Sequence, residues 1–362
     1  MGAPLSAIIV DDSALMRNLI SRMLISDLDI TVLATAMNGK FALEKMKKYD
    51  PDVIILDLEM PVMNGIDFLK EKKKIGNKIP VIILSSIAKK GAKVTMDAIA
   101  LGASDFILKP SGTAYSNIEK VHQDLIQLVK IYGQKYRISK RAGYLDEIKK
   151  EEKYTAVTKI IPDLQIKEKS IDIIALGIST GGPKALREIF SKLDESISVP
   201  ILVVQHMPPG FTAELAKSLN KICPLGVKEA EDGDILKNGR ILIAPGDRHL
   251  EIQKKSLAKV VMLTDTDPVN GHKPSIDVLF SSVSKIYDNN CMAIIMTGMG
   301  KDGVKMIGEI NKNGGLTVAQ DEYSCVVAGM PKSAVKAGYI QLVVPLDKMA
   351  ETINGFMFEK VK

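Results

Sequence analysis

The feature of this sequence that most constrains its fold is an alternation of short apolar runs with helical patterns, which occurs in both halves of the chain. In the first half the apolar runs are SAIIVDD, TVLATAMNG, PDVIILDLEMP, PVIILSS and ASDFILKP, and the helical segment SNIEKVHQDLIQLVKIY follows them. Strands that alternate with helices form parallel sheets with helices on both faces. The pattern therefore predicts a doubly wound α/β domain over residues 1–136.

The second half repeats this architecture with the runs IDIIALG, VPILVVQH, CMAIIMTG, LTVAQD and YIQLVVP. Between the second and the third of these runs lies a segment from Val227 to Gln253 that contains Asn-Gly and Pro-Gly pairs. Such pairs favour tight turns between antiparallel strands. We therefore expect a second doubly wound α/β domain over residues 169–362, with an antiparallel hairpin inserted in it.

Residues 137–168 break the alternation and carry much of the charge of the chain. Between Lys135 and Lys169 there are ten Lys and Arg against six Asp and Glu, so +4 of the formal net charge of +6 lies in this stretch. A charged segment without a long apolar pattern is typical of a solvated linker. Because the positive charge is concentrated in a linker, it does not indicate a nucleic-acid-binding surface.

The composition also indicates a compartment. The apolar runs are all shorter than the roughly 20 residues that a membrane span needs, and the first residues lack the basic, then apolar, layout of a signal peptide. The three cysteines, Cys223, Cys291 and Cys325, form no metal-binding spacing and are typical of buried thiols in a reducing environment. We therefore expect a cytoplasmic protein that is not inserted in a membrane.

Charged and polar side chains mark four strand ends of the first domain: Asp11 and Asp12, then Asp57, Ser85 and Lys109. The carboxyl ends of parallel strands meet at one edge of the sheet, where ligands bind. Three carboxylates at one edge repel each other unless a cation neutralises them, and oxygen ligands favour Mg²⁺. In such a site Asp57 is able to attack a phosphoryl group whose oxygens contact Lys109 and Ser85.

These residues resemble those of response-regulator receiver domains, which have a flavodoxin-like fold, and the resemblance extends over residues 4 to 130. It implies that Asp57 is the phosphoacceptor and that a histidine kinase is the phosphodonor. It also implies that Asp12, Asp57 and the carbonyl of Glu59 hold Mg²⁺, with Asp11 acting through water. Ser85 and Phe106 correspond to the switch pair, with Phe106 in place of a more common tyrosine, and Lys109 corresponds to the lysine that contacts the phosphoryl group.

The stretch GISTGGP, from Gly177 to Pro183, ends an apolar run and precedes a helical pattern. Its Gly-x-Ser-x-Gly spacing fits a nucleophile elbow, in which small residues allow a sharp turn between a strand and a helix and expose Ser179. A glycine-rich turn at a helix N-terminus also fits a phosphate-binding loop. The spacing differs from that of dinucleotide-binding loops, and the next strand ends in Gln205 and His206 rather than in an acidic residue.

A serine nucleophile needs a base, and the chain contains four histidines: His122, His206, His249 and His272. We expect His122 on the last helix of the first domain, and His249 and His272 in loops. His206 ends the strand after that of Ser179, so it is the predicted base. Asp302 follows the run AIIMTGMG and is the predicted carboxylate that orients it. The order Ser, His, Asp differs from the Ser, Asp, His order of α/β-hydrolases.

With these three residues the second half resembles the catalytic domain of chemotaxis protein-glutamate methylesterases (CheB). The motifs that carry this resemblance are GISTGGPKAL, QHMPPGFTAELAKSLN, IAPGDRHLEI, HKPSIDVLF, TGMGKDG and TVAQDEYSCVVAGMPKSAV. Ile178, Leu215 and Lys273 depart from the residues that are common in this family. The resemblance implies demethylation of glutamate methyl esters on methyl-accepting chemotaxis receptors, and deamidation of receptor glutamines.

Two further expectations concern the reaction and its alternative. The backbone N–H groups of Thr180 and of the Met299 turn are predicted to form the oxyanion hole, and the esterase reaction is expected to need no cofactor. The alternative from another class is a receiver joined to a non-catalytic nucleotide- or anion-binding module, with Gly181 and Gly182 lining its loop. Phosphorylation of Asp57 is expected to raise the activity by relieving obstruction of Ser179 by the receiver.

Overall fold

The structure is a computed structural model that describes residues 3–86, 88–110, 115–146, 159–160 and 170–358. The chain divides into two compact units, Met1–Tyr154 and Thr155–Lys362. Within the described residues no helix is both long enough and apolar enough to cross a membrane.

The first unit is a five-stranded parallel sheet with the strand order β2-β1-β3-β4-β5. Its strands are β1 (Leu5–Val10), β2 (Ile30–Ala36), β3 (Val53–Asp57), β4 (Val81–Ser85) and β5 (Asp105–Leu108). Its helices are α1 (Ala14–Ile25), α2 (Gly39–Tyr49), α3 (Gly65–Lys74), α4 (Lys89–Ala100) and α5 (Tyr115–Asp146). This topology confirms the predicted doubly wound, flavodoxin-like fold.

The central strands of this sheet follow directly from their sequences. Strands β3 (VIILD) and β4 (VIILS) are buried along their whole length, as expected for parallel strands covered by helices on both faces. Three helices begin at a polar residue whose side chain accepts a hydrogen bond from the first turn: Ser13 before α1, Asn38 before α2 and Asn64 before α3. These caps lie in the loops that follow β1, β2 and β3 at the carboxyl edge of the sheet.

The second unit contains an eight-stranded sheet with the order β6-β15-β14-β13-β7-β8-β10-β9 and a separate two-stranded sheet. The strands of the large sheet are β6 (Lys159–Ile160), β7 (Ile173–Ile178), β8 (Ile201–Gln205), β9 (Gly226–Glu229), β10 (Arg240–Ile243), β13 (Cys291–Ile295), β14 (Leu316–Gln320) and β15 (Leu342–Val344). All of these strands pair in parallel except β6, which is antiparallel to β15.

The remaining elements surround this sheet. Strands β11 (His249–Lys254) and β12 (Lys259–Thr264) form the predicted antiparallel hairpin. The helices are α6 (Gly182–Phe190), α7 (Phe211–Asn220), α8 (Ile276–Tyr287), α9 (Val304–Lys312), α10 (Gly329–Lys336) and α11 (Leu346–Phe358). Strand β7 lies between β8, which follows it in the chain, and β13, which comes much later. A strand with this position is a topological switch point, and a crevice opens at its carboxyl end.

Two predicted boundaries differ from the structure. The hairpin lies later in the chain than the predicted segment from Val227 to Gln253: it runs from His249 to Thr264, and the earlier strands β9 and β10 are parallel strands of the large sheet. The Asn238-Gly239 turn therefore precedes a sheet strand and does not close a hairpin. The boundary expected after residue 136 falls inside α5, which continues to Asp146. The expected linker of residues 137–168 thus begins as helix and also contains β6, and the rest of it lies outside the described residues.

Candidate functional site

Ser179 lies at the carboxyl end of β7, in a tight turn that leads directly into α6. Its backbone N–H donates to the carbonyl of Thr297 at 2.9 Å, and its own carbonyl accepts from the N–H of Gly182 at 2.8 Å. Gly181 has a φ of 78°, in the left-handed region that favours glycine. The turn therefore has the strand-turn-helix geometry that was predicted for a nucleophile elbow, and Ser179 is half-buried.

His206 follows the neighbouring strand at the same edge. Ile178 of β7 pairs with Gln205 of β8, so Ser179 and His206 are the residues that come directly after a matched pair. Adjacent strands lie about 4.8 Å apart. The backbone N–H of His206 also donates to the carbonyl of Ile178 at 3.2 Å. The pairing of the two strands thus places both residues side by side.

Asp302 is fully buried beside His206 and accepts hydrogen bonds from several donors. These are His206 Nε2 at 2.9 Å, Asn270 Nδ2 at 2.9 Å, Ser275 Oγ at 2.8 Å, and the backbone N–H groups of Ile276 at 2.6 Å and Asp277 at 3.3 Å. Burial by itself would raise the pKa of Asp302, but the hydrogen bonds from His206 and Asn270 outweigh it and hold that pKa well below its usual range. Asp302 is therefore an ionised acceptor.

The contact with Asp302 determines which nitrogen of His206 is already bound. Because Nε2 is bound to the carboxylate, Nε2 carries the proton and Nδ1 is left with its lone pair. Nδ1 is buried and has no hydrogen-bond partner among the described residues. The imidazole also stacks on that of His272, with ring centroids 3.8 Å apart and ring planes 8° from parallel. The hydrogen bond to Asp302 and the stacking on His272 together fix the orientation of the ring. Nδ1 is left as a base without a partner among the described residues.

The turn after β13 approaches Ser179 closely. A Cβ atom on Gly298 would lie 2.7 Å from the Cβ of Ser179, so only glycine allows this approach. Thr297 connects the turn after β13 to the turn after β7, because its hydroxyl donates to the carbonyl of Thr180 at 2.9 Å. Within the described part of the chain, the backbone N–H groups of Thr180 and Met299 have no backbone acceptor. They remain the candidate donors for an oxyanion.

The acidic edge of the first unit also assembles as predicted. Asp11, Asp12 and Asp57 each offer an oxygen, and these atoms lie within 4.8 Å of one another. Lys109 Nζ forms ion pairs with Asp11 at 3.0 Å and with Asp57 at 2.8 Å. A cluster of carboxylate oxygens is the kind of donor set that Mg²⁺ prefers. The residues present therefore fit that ion.

An open cavity of about 210 Å³ adjoins these residues, and its lining includes Asp12, Asp57, Ser85 and Lys109. Burial raises the pKa of Asp57; the contact with Lys109 opposes this rise and the charge of Asp11 adds to it. Burial would lower the pKa of Lys109, but its contacts with Asp57 and Asp11 raise it instead.

Of the two predicted switch residues, only Ser85 lines the cavity beside the carboxylates. The hydroxyl of Ser85 is paired with that of Thr95 in α4 at 2.7 Å, and Thr95 donates to the carbonyl of Gly91 at 2.7 Å. Ser85 lines the cavity, but its hydroxyl is held by α4. Phe106 is half-buried in β5 and does not line the cavity. Contact of Ser85 with a phosphoryl group therefore requires the pair with Thr95 to open.

The other histidines occupy other places. His249 begins strand β11 and not a loop; it is fully buried, with Nδ1 accepting from the N–H of Ser275 and Nε2 contacting the carbonyl of Asp267. His122 lies in α5, as expected, and contacts Ser26. His272 lies in a loop, also as expected, but it stacks on His206.

Sequence reasoning missed the side chains that support Asp302 and His206. Asn270, His272 and Ser275 belong to one segment that precedes Asp302 by about thirty residues in the chain. The motif HKPS in this segment was noticed only as a family feature. A cluster of polar residues between a hairpin and a helix, with more hydrogen-bonding side chains than its Asn-Gly turn requires, is the signal that could have indicated them.

This fold and these two edges define a class of protein: a response regulator in which a receiver domain precedes an α/β output domain with an assembled serine, histidine and aspartate. Family models agree with this assignment, since residues 7–117 match the response regulator receiver domain and residues 174–353 match the CheB methylesterase. The chain belongs to the CheB family of protein-glutamate methylesterases/protein-glutamine glutaminases.

Similar proteins cover the whole chain. A protein-glutamate methylesterase/protein-glutamine glutaminase of Treponema denticola is 52% identical and aligns with 96% of this chain and 97% of its own. The protein of the same name from Bacillus subtilis is 41% identical over 96% of this chain and 97% of its own. The crystal structure of the CheB methylesterase catalytic domain of Thermotoga maritima is similar with a TM-score of 0.50 and 42% identity, covering 51% of this chain and 98% of that domain. These relatives support a hydrolase and not the alternative of an anion-binding module.

Proposed function

We propose that this protein hydrolyses the γ-methyl esters of glutamates on methyl-accepting chemotaxis receptors, releasing methanol, and deamidates receptor glutamines. The names of its relatives support the two reactions, and the receptor follows from the family. The observation that carries the proposal is the pairing of His206, whose strand neighbours that of Ser179, with the carboxylate of Asp302, which leaves the Nδ1 of His206 without a partner among the described residues.

The geometry supports the following chemistry. Ser179 Oγ attacks the ester carbonyl while His206 Nδ1 accepts its proton, and Asp302 stabilises the imidazolium that forms. The N–H groups of Thr180 and Met299 donate to the oxyanion; one such donor typically contributes about 2.7–4 kcal/mol. His206 then protonates the departing methoxide, and water attacks the acyl-serine in the reverse manner. A glutamine substrate follows the same course with ammonia as the leaving group.

The acidic edge provides regulation. Asp57 is the phosphoacceptor, Lys109 contacts the phosphoryl oxygens, and Ser85 and Phe106 respond to the phosphoryl group. Asp11, Asp12 and Asp57 would hold Mg²⁺, which neutralises charge on the phosphoryl oxygens when it is bound. A histidine kinase of the chemotaxis pathway is the phosphodonor. We place the end of the receiver at the end of α5 rather than at residue 136, because α5 is one continuous helix.

Two assays test the proposal. The full chain should release methanol from methylated receptor membranes, and a serine-directed phosphonate should label it covalently at Ser179. The Ser179→Ala variant should do neither. Labelling elsewhere, or demethylation by Ser179→Ala at the parent rate, would overturn the assignment. Saturable nucleotide binding without any labelling would instead favour the non-catalytic module.

A further inference from the structure

Gln205, the last residue of β8, contacts the backbones of two proposed catalytic residues at once. Its side chain is buried, and its Nε2 donates to the carbonyl of Ser179 at 3.1 Å and to the carbonyl of His206 at 3.2 Å. Both contacted atoms are acceptors, so the NH₂ group of the amide must face them. The orientation of this amide is thereby determined by its surroundings.

The oxygen of the same amide is in a different environment from its NH₂ group. Gln205 Oε1 is buried and has no hydrogen-bond partner among the described residues. An unsatisfied buried acceptor destabilises a fold. Two other buried glutamines of this unit use their oxygens: Gln320 accepts from the N–H of Thr297 at 3.0 Å and Gln341 from the N–H of Thr317 at 3.2 Å. Gln205 is therefore different from its nearest structural equivalents.

Gly182 provides the space that this amide occupies. A Cβ atom at position 182 would lie 1.8 Å from Gln205 Oε1 and 2.8 Å from its Cδ. Gly182 is the first residue of α6 and does not have a positive φ, so its backbone conformation does not require glycine. Glycine also lowers helix stability relative to alanine. The glycine at this position is accounted for by the side chain of Gln205.

We propose that Gln205 is a positioning residue for hydrolysis, and this inference rests on the proposed function. By joining the carbonyls of Ser179 and His206, its amide fixes the separation and direction of the nucleophile and the base. It touches neither substrate nor reacting atoms, and acts through the two backbones. Reaction rates depend steeply on such alignment, and a displacement of about 1 Å can cost about 100-fold.

The test measures kcat and KM for hydrolysis of p-nitrophenyl acetate by the full chain, together with the rate of phosphonate labelling of Ser179. Gln205→Leu removes both donors at similar volume, and Gln205→Glu replaces them with oxygens that face two carbonyls. Each variant should lower kcat and the labelling rate about 10- to 100-fold, with KM nearly unchanged. The matched control is Gln341→Leu, a buried glutamine that bonds the start of β14 at the opposite edge of the sheet; it should leave kcat unchanged.

Gly182→Ala provides a second route that keeps the amide itself. It should lower kcat by displacing Gln205. It should have little further effect in a Gln205→Ala background, where the two closest atoms are absent and the nearest remaining one is Ile178 Cγ1 at 3.1 Å. This pair also decides the question if Gln205→Leu fails to fold.

The outcomes separate the inference from the proposed function. Parent-like kcat in Gln205→Leu, an equal loss in Gln341→Leu, or independent effects of Gly182→Ala and Gln205→Ala would each overturn the role of Gln205. Full hydrolysis by Ser179→Ala would overturn the proposed function instead. An inactive Ser179→Ala beside a fully active Gln205→Leu would refute the positioning role alone.

Discussion

Asp57 in the first unit and Asp302 in the second are both buried carboxylates at the carboxyl edge of a parallel sheet, but their pKa values shift in opposite directions. Asp57 has Lys109 as its partner and Asp11 as a like-charged neighbour, and burial dominates. Asp302 is contacted by donors from His206 and from the segment that begins α8, and they outweigh burial. The difference matches the proposed roles: the pKa of the proposed phosphoacceptor stays raised although Asp57 accepts from Lys109 and from the N–H groups of Leu58 and Glu59. The proposed orienting carboxylate accepts from more donors and stays ionised.

The largest expected effect tests whether ester hydrolysis depends on the residues at the carboxyl edge of the sheet in the second unit. Ser179→Ala, His206→Ala and Asp302→Ala should each lower kcat by about 10⁴-fold or more, and the double variants should be no worse, because the three residues act as a unit. Ester hydrolysis and circular dichroism on the same preparations measure this. His272→Ala is the control for the choice of base; a loss there with full activity in His206→Ala would contradict the assignment.

Removal of metal should separate the two edges. EDTA is expected to abolish phosphorylation of Asp57 by a small phosphodonor, because the clustered carboxylates of Asp11, Asp12 and Asp57 repel an anion. Hydrolysis of a small ester by the same preparation should be unaffected, since we expect that reaction to need no cation. Phosphorylation is followed by intact-protein mass spectrometry, and added Mg²⁺ should restore it. Loss of ester hydrolysis in EDTA would show that hydrolysis also depends on a metal ion, which would contradict this prediction.

Phosphorylation of Asp57 in the first unit should change the rate of hydrolysis in the second unit. A phosphodonor is expected to raise receptor demethylation by the full chain, and a shift of about 1.4 kcal/mol in a conformational equilibrium would give about tenfold activation. Asp57→Asn should retain the basal rate and lose the increase. A phosphodonor-dependent increase in Asp57→Asn would mean that another group receives the phosphoryl.

The opposite pKa shifts predict opposite effects of neutralisation on stability. Asp57→Asn should raise the free energy of unfolding of the first unit at pH 7 by about 1 kcal/mol or less, because it removes a buried charge that the fold disfavours. Asp302→Asn should lower the free energy of unfolding of the second unit by about 1–3 kcal/mol, because it leaves buried donors without an acceptor. Calorimetry that resolves two transitions measures both.

The pH dependence of these two differences has a definite sign. The pKa of Asp302 is lowered by folding, so its contribution is present above the pKa of an unfolded Asp, about 3.9, and is lost as the pH falls below it. The pKa of Asp57 is raised by folding, so the free energy of unfolding of the parent protein increases as the pH falls through that raised value. The difference in free energy of unfolding between the parent and Asp57→Asn therefore becomes smaller at low pH. Differences of the same sign at the two sites would contradict the comparison.

The smallest expected effect concerns one donor of the saturated carboxylate. Asn270→Ala removes the hydrogen bond from Nδ2 to Asp302 but leaves those of Ser275 and Ile276. We expect kcat to fall only about two- to fivefold, since one of several donors is lost. Asn354→Ala, which removes contacts with Asp194 and Lys192, is the matched control. A loss as large as that of Asp302→Ala would show that the carboxylate depends on this single donor.

The sequence was sufficient to predict the features that depend on periodicity and on strand ends. Buried runs such as VIILD and IIALGI gave the parallel sheets, and Ser179, His206 and Asp57 were predicted because residues that follow parallel strands meet at one edge. The order of the strands along the chain does not determine which side chains form hydrogen bonds with one another at that edge. The amide of Gln205 and the donors of Asp302 depend on approaches between distant segments, so no spacing rule revealed them.

The length of α5 was underestimated for a related reason. The stretch after residue 136 is rich in basic residues and was therefore interpreted as solvated. In the structure, Arg137 donates to the carbonyl of Pro4 at 2.8 Å and is paired with Asp52, and Lys140 is paired with Asp50. These charges lie against the acidic and carbonyl groups of the first unit. A local charge pattern cannot distinguish a solvated residue from one whose partner lies about ninety residues away in the chain.

The short strand β6 has a practical consequence for work with fragments. Lys159 and Ile160 cover the outer edge of β15 by antiparallel pairing. A fragment that starts at residue 169, the boundary suggested by the sequence, lacks this cover and leaves the backbone N–H and C=O groups of β15 open to another chain. Such a fragment is expected to self-associate through that edge, whereas one that starts at Thr155 keeps the edge closed. Comparisons of fragment and full-length activity are therefore best made with the longer form.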